Sequence, residues 1–159
     1  MRSEATGTFG WHLGVLVRAH SALVMAALGE FPHGPRGYQT LAAVVDGEHP
    51  TQAALATYLG IDRTVMTYLI DDLVAAGLVE RQQNPADRRH RRIVATPAGL
   101  ATFQELEGRV RTAEDHLLRT LEPAERDTFR TLLRRCACDV RHIDAGSDAC
   151  DAIAALLKT

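Results

Sequence analysis

Five arginines crowd into one short stretch of the sequence. Arg81, Arg88, Arg89, Arg91 and Arg92 fall between positions 81 and 92 and are opposed only by Asp87, which leaves a local charge of +4. A guanidinium is a planar, permanently charged fork that pairs with phosphate and fits a narrow, negative minor groove. The chemistry open to this cluster is neutralisation of a polyanion; the alternative is a solvated, arginine-rich turn. A second group lies just upstream. Arg63, Thr64, Thr67 and Tyr68 recur at helical spacing on the side opposite Met66, Leu69, Ile70 and Leu73, with Val65 near the same polar face. Arg forks onto guanine, Thr bonds to bases or phosphates, and Thr or Val packs on a thymine methyl. The alternative is an ordinary polar face on an amphipathic helix.

Other chemistry finds less support. Phosphate-cradling glycine loops, nucleophile elbows and HExxH pairs do not occur, and the seven histidines are scattered, so catalysis is not expected. No cofactor is implied. Cys136 and Cys138 lie two residues apart on an expected helix, about 200° around it, and cannot pair while helical. Cys138 and His142 share a face, with Cys150 as a third donor for a metal. Structural thiols, buried or half-exposed, are the simpler reading, and no metal site is assigned. An odd number of cysteines, all late in the chain, argues for a reducing compartment and a cytoplasmic location.

These groups must be positioned by helices and one hairpin. Apolar spacing predicts a first helix over residues 8–28, a proline- and glycine-rich loop over 30–37 and a brief helix over 38–45. Thr51 and Asp62 are N-cap residues for helices over 52–59 and 63–76, and Gly60 and Gly77 are their stops. The period then shortens to a hairpin, 78–81 returning at 91–95 around a long tip. Thr96-Pro97 starts a long helix to about residue 121, and further helices are expected to about 142 and over 148–157. The fold class is therefore mainly α with a small β-hairpin, in the order of a winged helix–turn–helix. No apolar run is expected to reach the roughly 18 to 20 residues that span a bilayer, and the N-terminus lacks the form of a secretory signal.

Several motifs in order resemble the MarR family of bacterial transcriptional regulators. They are Thr51-Gln52-Ala53-Ala54-Leu55-Ala56, Leu59 to Thr67, Gly77-Leu78-Val79-Glu80-Arg81, Asn84-Pro85-Ala86-Asp87-Arg88-Arg89, Ala95-Thr96-Pro97-Ala98-Gly99 and Leu121 to Arg126. The resemblance implies a homodimeric repressor, bound to a double-stranded, pseudo-palindromic operator and released by a small aromatic or anionic effector or by oxidation. It divides the chain into a dimerisation helix and loop (1–37), a winged DNA-binding lobe (38–95) and C-terminal helices completing the dimerisation domain (96–159).

By the same resemblance, Arg89 is the wing-tip residue that enters the minor groove and Asp87 the acid that orients it. The expected DNA contacts are Thr51, Gln52, Arg63, Thr64, Val65, Thr67, Tyr68, Asp87, Arg88, Arg89 and Arg91. Effectors of the family sit between the dimerisation helices and the DNA-binding lobe, which nominates Trp11, His12, His20, Met25, Phe31 and Tyr38. Against that, Trp11 and Met25 are also natural dimer core, and His20 an ordinary exposed histidine. Peroxide-sensing relatives carry a reactive Cys near the first helix; this chain has none before position 136.

Two positions depart from the pattern. Family members commonly carry Arg at 68 and a base at 72, where this chain has Tyr68 and Asp72. They motivate an alternative, a ligand-binding or protein-interaction module of the same fold that has lost DNA binding. The net charge of −2 does not decide between these readings, because residues 1–50, 51–95 and 96–159 carry −1, +1 and −2, and only the wing, at +4, is concentrated.

Overall fold

The computed structural model describes residues 7–83 and 91–144, with side chains as far as residue 139. The chain divides into two compact units, 1–117 and 118–159. In the first, α1 (Phe9–Leu28), α2 (Gly34–Asp46), α3 (Gln52–Leu59) and α4 (Arg63–Ala75) precede the hairpin β1 (Val79–Gln83) and β2 (Arg91–Ala95), and α5 (Pro97–Leu117) follows. The second contains α6 (Pro123–Asp144). Mainly helical with one antiparallel hairpin, this is the expected fold class.

The α3–α4–hairpin lobe is organised by its core. Leu41, Leu55, Met66, Leu69, Ile70 and Leu73 are fully buried, joined by Val79 and Ile93 from the hairpin. Four of these are the apolar stripe read from α4. A second core joins α1 to α5 through Val24, Leu28, Leu106 and Val110, with Phe31 and Tyr38 packed against it.

The chain stops are specific. At the end of α4 the amide of Leu78 bonds to the Leu73 carbonyl at 3.0 Å and that of Gly77 to Val74 at 2.9 Å, with Gly77 at φ +72. This is a Schellman stop, and it delivers the chain directly into β1. β1 and β2 pair from Val79 opposite Ala95 to Gln83 opposite Arg91. The outer edge of β2 is met at its middle by Pro50 and Thr51: the Ile93 amide donates to the Pro50 carbonyl at 2.8 Å, and Thr51 bridges Arg92.

Thr96 ties the far end of the hairpin to α5. Its hydroxyl donates to the Gly77 carbonyl at 2.6 Å and accepts from the Gly99 amide at 3.0 Å. A Cβ at Gly99 would lie 1.9 Å from the Leu78 carbonyl oxygen, so the approach requires glycine.

Several boundaries differ from the sequence expectation. The 30–37 segment is a loop only as far as His33, because α2 starts at Gly34 with Pro35 in its first turn. Proline lacks an N–H that would be unpaired there, and so begins a helix as readily as it breaks one. His33, at φ 58, is the one non-glycine residue with positive φ among the described residues. The hairpin strand runs to Gln83 rather than Arg81. α5 stops at Leu117 rather than near 121: the Leu121 amide bonds to the Leu118 carbonyl at 2.9 Å in a tight turn, and Pro123 disfavours helix just before it. The expected last helix, 148–157, lies outside the described residues.

One expectation is corrected. α1 is 20 residues long and apolar enough, by length and composition alone, to cross a membrane. Its alanines, glycines, valines and leucines are spread around the helix, so no unbroken apolar run announces it in the sequence.

Candidate nucleic-acid interface

Two capped helix starts meet at this surface. Asp62 precedes α4, and its carboxylate accepts from the amides of Thr64 at 2.8 Å and Val65 at 3.2 Å. The Val65 and Thr64 amides hold the Asp62 carboxyl below the usual carboxylate range. At the start of α3, the Thr51 hydroxyl accepts from the Ala54 amide at 3.2 Å. With the apolar stripe of α4 buried, its other side is turned out: Arg63, Thr64 and Thr67 are exposed, as are Val65 (39%) and Tyr68 (64%).

The two helices are latched together at their starts. Gln52 Nε2 donates to Thr67 Oγ1 at 2.7 Å, and Thr67 Oγ1 donates to the Arg63 carbonyl at 2.9 Å. Beside the latch lies a groove of about 480 Å³ lined by Thr51, Gln52, Ala53, Arg63, Thr67, Arg81, Arg91 and Ile93. Three arginines, from α4, β1 and β2, therefore line one concavity. Asp87, Arg88 and Arg89, at the hairpin tip, lie outside the described residues.

The acids of α4 are accounted for. Arg81 Nη2 reaches Asp71 Oδ1 at 2.6 Å, joining the hairpin to α4. His33 Nε2 meets Asp72 Oδ2 at 2.7 Å, joining the α1–α2 turn to the same helix. Neither Arg81 as a groove residue nor His33 as a partner was picked out from the sequence. A signal existed for Arg81, since strand alternation puts it on the same face as buried Val79. None existed for His33, which lies 39 residues from Asp72.

The residues nominated for an effector occupy different places. Phe31 and Tyr38 adjoin the α1–α5 core, and Tyr38 stacks on Phe103 with centroids 5.8 Å apart. Burial, then the charges of Glu107 and Glu114, raise the Tyr38 phenol above its ordinary value, so it stays a neutral donor. Met25 is exposed, near Gly34 at the end of α1. His20 Nε2 lies 3.3 Å from Glu114 Oε1, across α1 and α5. Trp11 and His12 pack edge to face at 5.1 Å near the start of α1. At about 1.5 Å per residue they are roughly 20 Å along the helix from Met25. One chain does not bring all six together.

Cys136 and Cys138 are exposed on α6 and not disulfide-bonded, which corrects the expectation of buried or half-exposed thiols: α6 buries none of its described side chains. Cys150 and the side chain of His142 lie outside the described residues. Among the described residues no cluster of three metal-ligating side chains occurs.

Comparison with known proteins agrees with this geometry. A family profile described as MarR family matches residues 35–90. A protein of Thauera aromatica, named as a candidate transcriptional regulatory protein for the hcr operon, is 30% identical over 101 residues, which are 64% of this chain and 61% of that protein. The match thus spans under two thirds of that relative's length. A crystal structure of MarR superposes with a TM-score of 0.77 at 22% identity, covering 92% of this chain and all of that one. The Bordetella bronchiseptica protein BpsR, whose structure concerns regulation of DNA binding by 6-hydroxynicotinic acid, gives a TM-score of 0.68 at 23% identity, covering 84% and 95%. Capped helix pair, hairpin and flanking helices are those of a winged-helix regulator, and the chain belongs to the MarR family of transcriptional regulators.

Proposed function

We propose that this chain is a homodimeric repressor that binds a pseudo-palindromic DNA operator through α4 and the hairpin and releases it when a small effector binds. The observation that carries the DNA-binding part is the groove shared by Arg63, Arg81 and Arg91 beside the exposed face of α4. Converging guanidinium groups suit a phosphate backbone, and a helix start presented at the same surface suits the major groove. Thr51, Gln52, Thr64, Val65, Thr67 and Tyr68 lie on or beside that surface. Asp87, Arg88 and Arg89 are proposed to extend it into the minor groove. Asp71 is paired with Arg81, so the attraction for phosphate rests on Arg63 and Arg91, and Asp72 is hydrogen-bonded to His33. Such a regulator works in the cytoplasm.

Dimerisation is supported by the apolar side chains that α1 leaves uncovered. Phe9 (83%), Trp11 (59%), Leu13, Val17 and Met25 are exposed. Apolar side chains left uncovered in this number along one helix call for a partner, and a second copy supplies the two-fold symmetry that a pseudo-palindrome requires. The effector would act by preferring a dimer whose two α4 helices no longer match half-sites about one DNA turn apart. Of an aromatic and an anionic ligand, the surroundings of Tyr38 favour the uncharged aromatic, since Glu107 and Glu114 oppose added negative charge.

The test is anisotropy titration of duplex DNA from the chain's own upstream region. Binding is expected to weaken steeply with salt, with a log–log slope of about −0.9 per phosphate contacted. Arg89→Ala is expected to lose affinity with an unchanged melting temperature. Absence of salt-sensitive binding would favour the module without DNA binding, and wild-type affinity in Arg89→Ala would overturn the minor-groove role of that residue.

A further inference from the structure

We infer that α4 reads its half-site chiefly by apolar contact with thymine methyl groups, through Val65, Tyr68 and the methyl of Thr64. This rests on the DNA-binding reading above and specifies how that surface chooses a sequence.

The inference comes from which polar groups are already engaged. Thr67 has one hydroxyl proton, and it goes to the Arg63 carbonyl at 2.9 Å; the same oxygen accepts from Gln52 Nε2 at 2.7 Å. The Thr67 hydroxyl is therefore engaged on both sides, and one amide proton of Gln52 is committed to it. Arg63 lines the groove with Arg81 and Arg91, a grouping that fits a phosphate better than a single guanine edge. Carboxylates would accept from cytosine N4, but Asp71 is bound by Arg81 and Asp72 by His33.

What remains outward on the first two turns is Thr64, Val65 and Tyr68. Their spacing of i, i+1 and i+4 puts them on one side of the helix. Val65 and Tyr68 are its exposed large apolar side chains, at 39% and 64%, while Met66, Leu69, Ile70 and Leu73 are fully buried. In the major groove only thymine presents an apolar group, its C5 methyl.

The test begins with duplexes selected from a random pool by the purified full chain. Thymines of the selected half-site are then replaced by deoxyuridine, which removes the methyl and keeps the hydrogen-bonding edge. Each contacted methyl removed is expected to weaken binding about fourfold, the effect of uncovering one CH₂-sized group. The triple variant Thr64→Ser/Val65→Ala/Tyr68→Ala should bind both duplexes alike; its changes are at exposed positions, and an unchanged circular-dichroism melt verifies its fold. Equal binding of thymine and deoxyuridine duplexes by the wild-type chain overturns the inference, as does a half-site without thymine or a penalty that persists in the triple variant. Failure to enrich any duplex refutes the DNA-binding reading, and the inference falls with it.

Discussion

Replacing Gly99 by alanine tests the joint between hairpin and α5 at its tightest point. The new Cβ would sit 1.9 Å from the Leu78 carbonyl oxygen and 2.8 Å from its carbon, and backbone cannot swing aside as a side chain does. Restoring ordinary contact needs a shift of more than 1 Å at a place also held by the Thr96 hydroxyl. Overpacking of this kind costs about 1 to 3 kcal/mol. Gly108→Ala is the internal control, because that position lies in the same helix with nothing near its would-be Cβ. There alanine should stabilise by roughly 0.5–1 kcal/mol through helix propensity alone. At about 2–4 °C per kcal/mol, the two variants should melt on opposite sides of wild type, Gly99→Ala several degrees lower and Gly108→Ala one to four degrees higher. The assay is thermal unfolding by circular dichroism at one fixed protein concentration. If both glycines respond alike, the close approach of α5 to Leu78 is refuted.

Other outcomes follow from contacts already described. Arg81→Ala should change stability by about 1 kcal/mol or less, since its pair with Asp71 is partly exposed, whereas Arg91→Ala should reduce the salt-dependence slope of DNA binding by about 1. Thr67→Val removes a hydroxyl bonded on both sides and should destabilise by about 1 kcal/mol in chemical denaturation, with Gln52→Ala in the Thr67→Val background adding little. Because its folded carboxyl is held low, Asp62 stabilises the chain above its unfolded pKa of about 4, and that contribution disappears as pH falls through the lower folded value. The stability gap between wild type and Asp62→Asn, followed from pH 6 to pH 2, should therefore close at the acid end.

Local rules carried the reading of the α3–α4–hairpin lobe. Thr51 and Asp62 cap the helices they were expected to cap, Gly77 adopts the left-handed stop, and the 66–69–70–73 stripe is buried, because caps, stops and stripes each depend on residues within a few positions. Tertiary contacts were not legible. Nothing local distinguishes Gly99 from Gly108, although one lies against a carbonyl and the other faces open space. His33 meeting Asp72 depends on the path of a whole helix and turn. The start of α2 was missed because proline and glycine serve both loop and first turn. For the nominated effector residues, sequence supplied chemical type but no distance, and their spread along α1 follows from helix rise.

The bond from Ile93 to Pro50 has a consequence beyond shaping the lobe. A two-stranded ribbon normally offers two open edges, each a row of unpaired amides and carbonyls on which another chain can add a strand. Here the middle of β2, at Arg92 and Ile93, is covered by Pro50 and Thr51 of the same chain. The opposite edge belongs to β1, whose outer residues Glu80, Arg81, Gln82 and Gln83 are charged or polar rather than apolar. Aggregation and strand exchange through the ribbon are thereby discouraged from both sides, so copies of this chain can crowd together without their hairpins joining.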